Sequence, residues 1–129
     1  MMHQKAYCFN DMESVNKIWN TNDVKEIKQL GRLVQGYNEN CWSGIRQLIA
    51  YDGLREKFLQ NEELKKMLLG MKDAVLAECA VRDRIWGIGL SMTDGNRFDR
   101  DKWRGQNLFG YSLMMVRKKI KKFVDFIVD

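Results

Sequence analysis

At 129 residues the chain is one domain's length, enough to bury a real core and too short for several domains. Its 45% hydrophobic and 30% charged content is that of a soluble globular protein, with no low-complexity segment or internal repeat. The net charge of +5, from 22 Lys and Arg against 17 Asp and Glu, is modest and partly local. Arg117, Lys118, Lys119, Lys121 and Lys122 cluster near the C-terminus. Such a cluster is usually a solvated helix face and also suits phosphates, and the total does not decide between them. Three scattered cysteines and one histidine argue against a disulfide framework and against a zinc site. No apolar stretch is long enough to span a bilayer and no signal-peptide core opens the chain, so the cytoplasm is the expected compartment.

Proline is absent, which favours uninterrupted helices. The opening, Met1-Met-His-Gln-Lys-Ala-Tyr-Cys-Phe9, brings apolar residues with no polar lead-in and reads as the inside of a helix. Asn10 with Glu13 resembles a capping box for a helix through Trp19, with Val15, Ile18 and Trp19 on its apolar side. After a turn at residues 20–23, Asp23 and Glu26 repeat the signal. Val24, Ile27, Leu30 and Val34 then follow at helical spacing to about Gly36. Gly31 inside that helix costs about 1 kcal/mol against alanine, which close packing would explain.

Residues 37–40 read as a turn. A helix then runs from Trp42 to about Phe58, with Gly53 as a point where it bends or splits. Asn61 caps a short helix that buries Leu64, Met67 and Leu68 and stops at Gly70. Residues 74–79 read as a buried strand and residues 85–90 as a second. Residues 91–102 form a polar loop, and the last helix begins near Gly105. Its stripe of Phe109, Leu113, Val116, Ile120, Phe123 and Ile127 faces the core, with residues 117–122 on the wet side.

Several residues carry possible chemistry, and each has an ordinary reading beside it. Glu78 and Asp83 are two acids at a strand exit, the minimal pair for transferring a glycosyl group to water. On spacing alone, a turn cap for Glu78 and a surface pairing of Asp83 with Arg82 or Arg84 is the better reading. Trp42, Trp86 and Trp103 suit stacking on a heterocycle or a sugar; core packing is the better bet for any one of them. Arg104, Gly105 and Asn107 sit at an expected helix start, where free N–H groups and a guanidinium suit phosphate, as an ordinary capped start would also require. Lys5 on a buried helix is a candidate amine nucleophile, or a lysine that snorkels to water.

Taken together, Asp83-Arg-Ile-Trp-Gly-Ile-Gly-Leu90, Trp103-Arg-Gly-Gln-Asn-Leu-Phe-Gly110 and Leu113-Met-Met-Val-Arg117 closely resemble the NADAR, or YbiA-like, family. Lys25-Glu-Ile-Lys-Gln-Leu-Gly-Arg32, Trp42, Lys57-Phe-Leu-Gln-Asn-Glu-Glu-Leu64 and His3-Gln-Lys-Ala6 extend the likeness over nearly the whole chain. The resemblance implies a compact, mainly helical α+β domain with a small sheet. It implies an N-glycosidase that hydrolyses a C–N bond at a phosphoribosyl or ADP-ribosyl compound, such as an intermediate of riboflavin biosynthesis. No cofactor or metal is implied, and nucleic acid enters only as the carrier of a modified base.

By position, Trp42, Asp83, Glu78 and Lys5 match the family's catalytic positions. Trp86, Gly87, Arg104, Gly105 and Asn107 match its substrate pocket and helix start. Members of the family begin with a strand-rich segment and a catalytic Glu upstream of the position of Met1. The expectation is therefore a single domain over residues 1–129 without that first segment. A remnant that binds such ligands without turnover is the alternative, and nucleic-acid binding through residues 117–122 is a third, weaker idea.

Overall fold

A computed structural model, which describes residues 1–128, is built from helices. Their order is α1 (Met2–Cys8), α2 (Met12–Trp19), α3 (Val24–Arg32), α4 (Glu39–Leu59), α5 (Glu62–Gly70) and α6 (Leu108–Val128). Two short 3-10 turns, Gly95–Phe98 and Arg100–Lys102, interrupt the loop before α6. Among the described residues there is no strand, so the expected small sheet and the α+β class are overturned. The reason lies in where residues 74–79 place their backbone groups. The Glu78 N–H donates to the Asn107 side chain at 2.9 Å, and the Leu76 carbonyl accepts from the same side chain at 2.9 Å. The Glu78 carbonyl accepts from the Ile88 N–H at 2.9 Å. An apolar run is a strand only where another strand answers its backbone, and here a side chain and a turn do so.

The chain divides into two compact units, Met1–Ile49 and Ala50–Asp129, with the division falling inside α4. In the first unit α1, α2 and α3 pack around Ala6, Val15, Ile18 and Val34, flanked by Met2, Phe9, Ile27 and Leu30. Gly31 meets the requirement for close approach: a Cβ there would run into the Met2 side chain. Helix α2 is capped by Asp11 rather than Asn10. One Asp11 carboxylate oxygen accepts from the Ser14 N–H at 3.1 Å and the other from the Gln35 N–H at 2.9 Å. Asn10 instead takes the left-handed conformation, φ 57°, that ends α1, while Asp11 N–H donates to the Ala6 carbonyl. Asp23 caps α3 as expected, but Glu26 accepts from the Thr21 hydroxyl rather than closing a capping box. Trp19 lies outside the core, 77% exposed, with its ring 5.4 Å from that of His3.

The second unit packs the later part of α4 (Tyr51, Leu54, Phe58) with Leu68 and Leu69 of α5 and with Val116, Ile120 and Val124 of α6. Helix α4 passes Gly53 unbroken, and α5 starts at the Asn61 cap and ends at Gly70 as expected. Met67 is exposed, as are Phe123 and Ile127, while Arg117 is buried. The wet and dry faces of α6 thus differ from the three-and-four stripe in its last turns and at one cation. No described helix is long and apolar enough to cross a membrane.

Two backbone N–H donors hold the Asp11 carboxyl below the usual carboxylate range, Gln35 contributing most. Because the folded value is depressed, the stabilisation is complete above the unfolded value of about 4 and is lost as pH falls through the folded one. Asp11→Asn keeps an acceptor but cannot titrate. Urea midpoints measured between about pH 2 and 7 should therefore fall less steeply on the acid side in the variant than in the parent chain.

Candidate active site

In the first unit the sequence of α1 places Lys5 one turn before the helix end, on the side facing α3. Its ammonium donates to the Gly31 carbonyl at 2.7 Å. That carbonyl is reached because Gly31 lets α1 and α3 approach closely. The same nitrogen stands 4.2 Å from the centre of the Tyr37 ring and 5.9 Å from that of Trp42, within the range of cation–π attraction. Tyr37 packs edge-on against Phe9, with ring centres 5.4 Å apart. Trp42 lies in the first turns of α4 and is buried. Asn38 caps that helix by accepting from the Cys41 N–H at 3.1 Å.

Beside this pair lies a carboxylate that the sequence did not single out. Glu39 accepts from the Tyr37 hydroxyl and, at 3.0 Å, from Arg46, one face along α4. Arg46 is buried, and its Nε has no partner among the described residues. The Tyr37 hydrogen bond, together with the Arg46 charge, holds the Glu39 carboxyl below its ordinary value. The same hydrogen bond and burial push the Tyr37 phenol up. Burial draws the Lys5 amine below the ordinary lysine value, and the nearby Glu39 charge offsets part of that shift. The first unit therefore assembles an amine with weakened proton affinity, two aromatic faces and an ionised acid held by a guanidinium. The stretch of residues 37–46 looked like a turn followed by a helix start. The readable signal was Tyr37, Glu39, Trp42 and Arg46 converging on one side of that start, with polar groups among the aromatics.

The second unit holds the remaining expected residues: Glu78, Asp83, Trp86, Gly87, Arg104, Gly105 and Asn107. Most of them build a tight backbone crossing. Asp83 accepts from the Ile85 and Trp86 N–H groups at 3.0 and 2.8 Å and so closes the turn that leads into Trp86. The backbones of residues 104–109 dock against residues 84–88: Arg104 N–H donates to Ile88 at 2.8 Å, Gln106 to Arg84 at 2.8 Å, and Phe109 to Trp86 at 3.1 Å. A Cβ at Gly105 would collide with the Gly87 carbonyl and the Arg84 backbone, and one at Gly87 would press on the Asp83 and Glu78 carbonyls. Asn107 is wholly buried at φ 52°, its N–H donating to the Gly87 carbonyl at 3.1 Å. Glu78 and Arg104 are exposed and Trp86 is half-buried. Trp103 donates its indole N–H to the Arg97 carbonyl at 2.8 Å. The second unit brings the motif residues together, and it uses the glycines, Asn107 and one oxygen of Asp83 to hold the crossing. No group of three or more potential metal ligands occurs among the described residues.

Residues 1–121 match the family described as the NADAR domain. The chain is 38% identical over 119 residues to N-glycosidase R617 of Acanthamoeba polyphaga mimivirus, covering 92% of this chain and 70% of that protein. It is 33% identical over 121 residues to Protein irg-1 of Caenorhabditis elegans, covering 92% and 57%. It is 32% identical over 120 residues to Riboflavin biosynthesis protein VVA0006 of Vibrio vulnificus, covering 93% and 30%. The last two relatives thus extend well beyond the part that this chain matches. A glycosylase-type hydrolase is the class these likenesses support. The chain belongs to the NADAR domain family.

Two expectations follow from the geometry. Asn107→Ala leaves part-buried backbone groups at Leu76 and Glu78 without their partners and should lower unfolding stability by about 1–3 kcal/mol in urea titrations. Glu39→Gln removes the charge that favours protonated Lys5. The Lys5 amine should then titrate still lower, read from the pH dependence of its reductive methylation.

Proposed function

We propose that this chain is an N-glycosidase that hydrolyses the C–N glycosidic bond of a phosphoribosyl or ADP-ribosyl compound, riboflavin biosynthesis intermediates being one example. The observation that carries the reading is Lys5, its amine held against the Tyr37 and Trp42 rings with its proton affinity lowered and Glu39 close by. Names of relatives that include N-glycosidase and riboflavin biosynthesis support the class of bond.

Two aromatic faces suit a sugar ring. An amine with a lowered proton affinity has a larger unprotonated fraction at neutral pH and attacks carbon more readily. The Lys5 nitrogen adds to the anomeric carbon, and the electrons of the C–N bond leave with the base, which takes up a proton. Loss of the ammonium proton and opening of the sugar ring leave an imine between Lys5 and that carbon. Water adds to the imine, and elimination of Lys5 frees the sugar phosphate and restores the amine.

Glu39, kept ionised by Tyr37 and Arg46, is suited to stabilise positive charge at the anomeric carbon and to accept a proton from the attacking water. The resemblance assigns Asp83 a role at a ribosyl centre, for which the carboxylate oxygen not engaged by the Ile85 and Trp86 N–H groups is available. Glu78 is the second acid, and Trp86, Gly87, Arg104, Gly105 and Asn107 form the substrate-binding set, with Arg104 on phosphate.

A second reading is ligand binding without turnover. It is favoured by the commitment of Asp83 to the Ile85 and Trp86 N–H groups and of Asn107 to the backbone crossing. The two readings separate on one experiment. Incubation with a phosphoribosyl or ADP-ribosyl compound and borohydride should leave a stable adduct on Lys5, with free base released before trapping. Lys5→Ala should abolish the adduct, and Glu39→Gln should slow base release by about a hundredfold or more. Calorimetric binding without any release of base would support the second reading and overturn the first. Release without an adduct would remove the covalent step.

A further inference from the structure

The geometry points to a phosphate-binding site in the second unit, formed where α5 ends against the middle of α6. Arg117 on α6 is 92% buried by its 8% exposure, and its Nη1 is shut off from solvent with no partner among the described residues. It forms no ion pair with any described carboxylate within 4.0 Å. A buried guanidinium without a counter-charge is costly, because a cation removed from water is stabilised only by an anion or acceptors at contact. Arg117 lines two adjoining hollows, of about 520 and about 250 Å³, which share Lys72, Lys121 and Asp125 with it. Lys118 and Lys122 line the larger one.

Five cations therefore border the space, against the carboxylates of Asp73 and Asp125. An exposed run of lysines alone would be an ordinary solvated face. The buried arginine behind them makes a site with depth, and guanidinium and ammonium donors together match the oxygens of a tetrahedral dianion. Lys72 is set in place by the stop of α5: it stands just past Gly70 at φ 50°, a conformation that side-chain-bearing residues seldom adopt. The ligand class is a phosphate dianion, free or as the phosphoryl group of a small molecule. None of the residues lining the hollows is among those assigned to the proposed catalysis, so the site stands or falls independently of it.

The test titrates inorganic phosphate into the full chain at constant ionic strength, followed by calorimetry and by amide shifts of α6. One-site saturation is expected with a dissociation constant of about 1 mM or tighter. Binding should weaken at least about tenfold in Lys72→Gly and in Lys121→Ala, each cation contributing about 1.4 kcal/mol. Lys72→Gly suits the left-handed backbone at that position, so loss of binding there cannot be ascribed to a broken turn. Affinity should also fall as the pH drops below about 7, where inorganic phosphate loses its second charge. Lys66→Ala, an exposed lysine of α5 that borders neither hollow, should leave the affinity unchanged, and an equal loss in that variant would reduce the effect to general charge and overturn the assignment. No saturation at about 10 mM, or an affinity in both lysine variants unchanged from the parent chain, would also overturn it. So would tight, steeply salt-dependent binding of a single-stranded oligonucleotide without saturation by inorganic phosphate, which would make the face a polyanion surface.

Discussion

The buried amide of Asn107 is the contact on which the second unit depends. One side-chain oxygen and one side-chain nitrogen satisfy two backbone groups of residues 76–78, while its own N–H reaches Gly87. Each group left unmet in such a place costs about 1–3 kcal/mol, so a single side chain here outweighs any of the surface ion pairs. It also explains two glycines. The backbones come so close that Gly105 and Gly110 have no room for a Cβ, the latter because Leu76 and the Asn107 side chain occupy that space. The family's most recognisable residues are, on this geometry, largely the joinery that brings Trp86, Arg104 and the α6 start near one another.

The first unit rests on a different constraint. Three short helices enclose a small apolar core, and the approach of α1 to α3 at Gly31 exposes one carbonyl to Lys5. The same approach leaves the lysine beside Tyr37 and Trp42 instead of in bulk water. Asp11 reinforces it from the other end by bridging the α2 start to Gln35, beyond α3. The lowered proton affinity of Lys5 is thus a by-product of packing: the helix spacing that buries the core also withdraws water from the amine, and the Glu39 charge offsets part of that effect.

Helices were the legible part of this chain because their evidence is local. Apolar spacing, the caps at Asp23 and Asn61 and the stop at Gly70 are fixed within a few residues. The strands expected at residues 74–79 and 85–90 were not, since an apolar run does not reveal whether its backbone will be answered by a strand or by a distant asparagine. Asn10 and Asp11 show the same limit at smaller scale. Both can cap α2, and the choice fell to Asp11 because its second oxygen meets Gln35, 24 residues away in sequence. For the site, Lys5 and Trp42 were visible as residue types, whereas Glu39 and Arg46 were hidden in what looked like a turn and a helix face.

By itself the sequence determined the helical segments, the family and the short roster of residues able to do chemistry, because periodicity, capping and motif spacing are written along the chain. Tertiary structure alone decided that there is no sheet among the described residues, which carboxylate stands by the lysine, and that Arg117 is buried rather than wet. Those outcomes depend on contacts between residues far apart in the chain, where desolvation and the pairing of polar groups are set by neighbours that no local pattern names.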